Sequence, residues 1–177
     1  MNRISGSVAR RRSLPVAAAR GTLIVPEGVL DETLRALLAS QGPDGPHEGL
    51  VFWAGWAMPG RTVIGVAIPP ELDHGWGHVR ADEGAVAAAI RAARRFGAGL
   101  LVQVHSHPGL DTRHSDGDDE MVLMPFDGMF SLVVGEYGAG SIRPDAGLGV
   151  HQFQDGRWVW IEPAVRAVII TPSIAAP

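Results

Sequence analysis

The hydrophobic pattern changes period several times along the chain, and each change marks an element. Thr22-Leu23-Ile24-Val25 is a short apolar run closed by Pro26, which has no N–H for a ladder, so it reads as a strand. Leu30, Leu34, Leu37 and Leu38 recur at i, i+4, i+7 and i+8, the stripe of an amphipathic helix over about 28–39. Residues 42–46, Gly-Pro-Asp-Gly-Pro, read as a loop. Segments 48–55 and 61–68 read as strands, with Met58-Pro59-Gly60 as the hairpin between them and Pro69-Pro70 as a stop. No period is visible over 71–81.

Asp82 is a suitable N-cap for a second helix. Glu83 sits in its first turn, Arg91, Arg94 and Arg95 near its end, and Gly97 at the C′ position. The alanines from 85 to 93 predict close packing of this helix on a sheet. Further strands are expected at 99–106, 130–134 and 149–154. Asp155-Gly156 then makes a two-residue turn into 157–161, and Val168-Ile169-Ile170 is a final strand. There is no internal repeat. This order predicts an α/β domain with a mixed, mostly antiparallel sheet and two main helices.

The chain has 177 residues, enough for one domain with a substantial core. Residues 1–20 lack a period and carry Arg10-Arg11-Arg12, so they read as a flexible basic tail ahead of a single domain over 21–177. The apolar stretch 14–19 is too short for the hydrophobic region of an export signal. No apolar run approaches a membrane span. The expected location is therefore cytoplasmic. A net charge of −4 gives no reason to expect nucleic acid as a partner. All fifteen basic residues are Arg. Codon usage in a GC-rich genome accounts for that, together with the abundant Ala, Gly and Pro. The functional alternative is an enzyme on lysine-linked modifiers that avoids modifying itself.

Cysteine is absent, which excludes disulfides and thiolate metal sites. Histidine and carboxylate remain as metal donors, and one stretch concentrates them. His105-Ser106-His107-Pro108 is followed after six residues by Ser115-Asp116-Gly117-Asp118. Side chains alternate along a strand, so His105 and His107 project to one side if 100–104 is extended. Pro108 ends that strand and places both rings at its C-terminal edge. Asp118 can return on a short helix, with Ser115 as its N-cap. Three protein ligands on a tetrahedral Zn2+ leave one position open, which is the catalytic rather than the structural arrangement.

The pattern His-x-His-Pro, six residues, Ser-x-x-Asp resembles the signature of the JAMM (JAB/MPN) zinc metalloproteases, bacterial members in particular. The sharp match covers residues 105–118. The resemblance implies an MPN-like (cytidine deaminase-like) α/β fold, with its sheet flanked by helices. It implies zinc held by His105, His107 and Asp118, with Asp116, Asp119 and Glu120 as neighbours not selected by the spacing. It also implies that Ser115 stabilises the oxygen that gains charge, and that an upstream Glu acts as general base. Glu48, before Gly49 and an apolar run, fits that base, although in many members two residues separate the Glu from the Gly. Glu27, Glu32, Glu71 and Glu83 are the other upstream candidates.

By the same resemblance the reaction is hydrolysis of an amide or isopeptide bond at the C-terminus of a ubiquitin-like or sulfur-carrier protein. A ubiquitin-activating-like enzyme is then expected in the pathway. A zinc hydrolase of small-molecule amides and a non-catalytic MPN scaffold are the alternatives. His47 is expected to face away from the base, His114 to have at most a supporting role, and His74, His78 and His151 to be ordinary polar positions. Trp53 and Trp56 read as core residues or as the wall of a cleft. The glycine-rich stretches 109–117 and 135–149 are expected to border a groove for an extended tail.

Overall fold

The computed structural model describes residues 14–121 and 125–173. In chain order its elements are β1 (Val16–Ala17), β2 (Thr22–Pro26), α1 (Glu27–Leu38), β3 (Gln41–Gly42), β4 (Gly45–Pro46), β5 (Leu50–Met58), β6 (Arg61–Ile68), β7 (Asp73–Gly75), β8 (His78–Arg80), α2 (Glu83–Arg94), β9 (Gly99–Ser106), α3 (Asp116–Met121), β10 (Phe130–Val134), β11 (Gly149–Gln154), β12 (Arg157–Ile161) and β13 (Val168–Thr171). Nine strands form one mixed sheet in the order β1-β12-β11-β10-β9-β5-β6-β2-β13. Four of its eight junctions are antiparallel, and the longest ladders, β5 with β6 and β5 with β9, are among them. No described helix is long and apolar enough to cross a membrane.

Three segments differ from the sequence reading. Part of the expected basic tail is structured: β1 runs parallel to β12, with Trp160 N–H donating to Pro15 O and Glu162 N–H to Ala17 O. Ala17 and Ala19 pack against the core, and the Gln152 side chain bonds both the N–H and the C=O of Arg20. Arg10-Arg11-Arg12 lie outside the described residues. The 42–46 loop is a tight hairpin, β3–β4, and the 71–81 stretch contains a second, β7–β8, with Trp76 and Gly77 at its turn. Strands of two or three residues are too short to show a period.

Alternation gives the large sheet two unlike faces. Toward α1, Val51 and Trp53 of β5 meet Val102 and Val104 of β9, Leu132 of β10, and Leu30 and Leu37 of the helix, in one continuous core. Trp53 Nε1 donates to Thr33 Oγ1, and that hydroxyl donates to Val29 O, so the polar atoms buried there are paired. Toward α2 the apolar contacts fall into two small clusters, one around Leu50, Phe52, Val79 and Ala89, the other of Ala54, Ala93 and Ala98. Asp82 caps α2 as expected, accepting from Ala85 N–H at 2.8 Å. The expected close packing of the alanines holds at the C-terminal end of α2, where Ala93 meets Ala54 and Ala98.

Candidate metal centre

The donor cluster forms on the α2 face of the sheet. Leu50 of β5 pairs with His105 of β9, and the ladder continues one step further: Ser106 N–H donates to Gly49 O, and Gly49 N–H to Ser106 Oγ. Beyond the strand end, His107 N–H donates to Val134 O and Tyr137 N–H to His107 O, which holds the second histidine against β10. Glu136 and Tyr137 adopt left-handed φ values of 54° and 55° to make that turn. The loop that leads to α3 lies on bare backbone. A Cβ on Gly149 would stand 2.1 Å from Thr112 O, so only glycine admits this approach.

His105 Nε2 and His107 Nε2 lie 3.2 Å apart, His107 Nε2 is 3.1 Å from Asp118 Oδ2, and His105 Nε2 is 3.3 Å from Asp118 Oδ1. All three side chains are buried. A tetrahedral ion with bonds of about 2.0–2.1 Å holds its ligand atoms roughly 3.3 Å apart, so the triangle has the size of a metal site. The tautomer agrees. His107 Nδ1–H donates to Asp111 O at 2.9 Å, which leaves the Nε2 lone pair facing the triangle. Burial alone would raise the Asp118 carboxyl, but His105 and His107 override it and hold it well below the ordinary carboxylate range. Two imidazole nitrogens and a carboxylate kept as its anion could hold a metal ion.

Ser115 and Asp118 form the expected capping box. Asp118 Oδ2 accepts from Ser115 N–H at 2.5 Å, and Ser115 Oγ accepts from Asp118 N–H at 3.3 Å. The Ser115 hydroxyl hydrogen is therefore still available to donate. Glu48 is buried, whereas Glu27, Glu32, Glu71 and Glu83 are all exposed. Extending the β5–β9 register by two residues sets Glu48 opposite His107, on the face shared by Leu50 and His105. Tyr137 lies within its field: burial first, then the Glu48 and Asp44 carboxylates, raise the phenol.

A family model described as prokaryotic homologs of the JAB domain matches residues 30–144. The chain belongs to this family. A probable metalloprotease, y4jG, of Sinorhizobium fredii is 33% identical over 111 residues, which are 58% of this chain and 64% of that relative. The solution structure of protein DSY2949 from Desulfitobacterium hafniense matches with a TM-score of 0.66 at 16% identity, covering 87% of this chain and 96% of that one. A solution structure from Salinibacter ruber matches at 0.55 and 20% identity, covering 88% and 95%. These two show the fold. The match spans just under two thirds of the length of the Sinorhizobium fredii relative.

Behind the triangle, this JAB domain has a polar layer that sequence reasoning undervalued. His114 is fully buried; its Nδ1–H donates to Asp119 Oδ1 and its Nε2 accepts from Ser131 Oγ, both at 2.9 Å. Gln103 Nε2 donates to the same Ser131 oxygen at 3.0 Å. The His114 ring stacks on His151 at 3.8 Å, and His114 N–H donates to His151 Nε2. Burial pushes both imidazoles below the ordinary histidine range; Asp119 opposes the shift at His114, and the neighbouring His114 and His105 add to it at His151. Alternation could have given the signal, since Gln103, Ser131 and His151 fall on the face of His105. Asp119 thus serves His114. The side chain of Glu120 lies outside the described residues.

His47 also has partners: its Nδ1 is 3.0 Å from His74 Nδ1 and its Nε2 is 2.6 Å from Asp44. Trp53 is core, while Trp56 is exposed and donates to Gly97 O. The two glycine-rich stretches do not simply border a groove. They pack on each other, through Glu136 N–H to Gly109 O and Thr112 Oγ1 to Gly147 O.

Proposed function

We propose that the chain is a zinc-dependent JAMM-type metallopeptidase that hydrolyses an amide or isopeptide bond at the C-terminus of a ubiquitin-like or sulfur-carrier protein. The observation that carries this reading is the buried triangle of His105, His107 and Asp118, with edges of 3.1–3.3 Å. Nitrogen and oxygen donors in this number suit zinc. The cytidine deaminase-like assignment of the fold, the cytoplasmic location and the ubiquitin-activating-like partner belong to the same proposal.

His105, His107 and Asp118 would hold the ion. When bound, zinc supplies Lewis-acid chemistry, lowering the pKa of a water to about 7 and polarising the scissile carbonyl. Glu48 accepts the proton of the attacking water. As the C–N bond breaks, Glu48 delivers that proton to the leaving nitrogen, so the amine departs neutral. The Ser115 hydroxyl donates to the carbonyl oxygen as it gains charge. His114, bonded to Asp119 and Ser131, keeps the return of the chain to Asp118 in place.

The test is mass spectrometry of the zinc-loaded chain incubated with ubiquitin-like fusions ending in Gly-Gly. The expected product is cut directly after the terminal Gly, with phenanthroline abolishing turnover and thiol reagents without effect. Turnover of small amides with none of any modifier would replace this reading with the small-molecule hydrolase. A zinc-loaded chain inert on both would leave the scaffold.

A further inference from the structure

Between α2 and the sheet lies a cavity of about 580 Å3. Its floor is the metal face of the sheet, with Leu50 and Phe52 from β5 and Leu100, Gln103 and His105 from β9. Its roof is α2, through Val86, Ala87 and Ile90. His105 belongs to both structures, as a wall of the cavity and a corner of the donor triangle.

Protein interiors leave few voids larger than a water molecule, and a volume in this range is that of a ligand site. The sequence creates the space. At one end of α2 the small residues Ala93, Ala54 and Ala98 close on each other, so the helix comes down onto the sheet. Elsewhere the same helix lines the space with Glu83, Val86, Ala87, Ile90 and Arg94, and these side chains leave a gap above Leu50, Phe52 and Leu100. The floor is apolar apart from Gln103 and His105. With Gln103 Nε2 bonded to Ser131, its Oε1 is left as an acceptor.

We propose that this cavity is the specificity pocket of the centre, and that it takes a large apolar side chain, branched aliphatic or aromatic, from the residue adjoining the hydrolysed amide. The inference rests on the metallopeptidase reading. It adds that a substrate with small residues on both sides of the amide leaves the pocket empty and binds weakly. A slim glycine tail therefore occupies one side of the bond only, and the apolar group stands on the other.

Calorimetry with metal-chelating hydroxamates separates the two readings. Acetohydroxamate reports the metal centre alone. Phenylacetohydroxamate adds an aromatic group on the acyl side, and N-benzylacetohydroxamate adds one on the amine side. One of the two aromatic probes should bind the zinc-loaded chain at least roughly tenfold more tightly than acetohydroxamate, and the one that gains identifies the side. Ala87→Phe should remove that gain while leaving zinc content and acetohydroxamate affinity unchanged. Ile90→Trp, at the half-open rim, serves should Ala87→Phe misfold. If neither aromatic probe gains, or if the gain survives both substitutions, the pocket is not there. If acetohydroxamate itself fails to bind, the metal reading falls and takes the pocket with it.

Discussion

On the α1 side of the sheet, Trp53, Val104 and Leu132 meet Leu37 in one dry cluster. On the α2 side the same strands present His105, Gln103, Ser131 and His151. The contrast runs through single strands. In β9, Val102 and Val104 pack into the core while Gln103 and His105, one residue on, belong to the polar layer. Alternation lets one backbone serve both, because neighbouring residues look into opposite halves of the molecule. The lesson is a division of labour: one face of these strands builds the apolar core, and the other carries buried polar groups that bond to one another.

The sharpest break of this comparison is His107→Ala. Zinc should fall from about one ion per chain to none by metal analysis, and turnover should vanish, while the α1 core stays folded. Stoichiometric zinc in that variant would put the metal elsewhere. The converse substitution is Trp53→Ala, which should cost about 3–5 kcal/mol in urea denaturation while zinc per folded chain is unchanged. Loss of zinc from the folded fraction would show that the two faces are not separable.

Glu48→Gln keeps the shape and removes the basicity. Metal content should hold, and kcat should fall by at least roughly a hundredfold. A fully active Glu48→Gln with a dead Glu71→Gln would move the base to the loop before β7.

His151 gives the polar face a pH signature. Its folded pKa lies well below the ordinary histidine value of about 6.5, so below that pH the unfolded chain takes up a proton that the folded chain refuses. Stability is therefore complete above pH 6.5 and falls as the pH drops, by up to about 1.4 kcal/mol per unit from this group. Replacing it, as in His151→Leu, should flatten the slope of stability between pH 6.5 and 5 by about that amount. An unchanged slope would remove His151 as the cause.

The smallest expected change in stability is Ser115→Ala, which loses an N-cap worth about 1 kcal/mol. If the hydroxyl also acts on substrate, a zinc-loaded, folded variant will be around a hundredfold slower in kcat with KM little changed. A variant that melts early and loses zinc, yet turns over normally per bound ion, would leave capping alone.

The donor set was legible because its spacing is local. His105 and His107 are two apart on one strand, Pro108 ends that strand, and Ser115 and Asp118 are a capping pair within one turn. Glu48 was chosen from five upstream glutamates by the Gly49 and apolar run that follow it. Only the structure shows its burial and a register with β9 that joins positions nearly sixty residues apart. The hairpins β3–β4 and β7–β8 and the edge strand β1 were unreadable, since two or three residues carry no period and their pairing is decided elsewhere.

By itself, then, the sequence determined the long elements, the cap of α2, the Asp155-Gly156 turn and the concentration of candidate metal donors between His105 and Asp118. All of these depend on neighbours within a turn or a strand. The tertiary structure decided which histidines are buried together, why Gly149 must be glycine, and that α2 stands off the sheet beside His105 to leave a cavity. Those features depend on distances between segments far apart in the chain. Such distances are set by the packing of the whole sheet, and no local pattern encodes them.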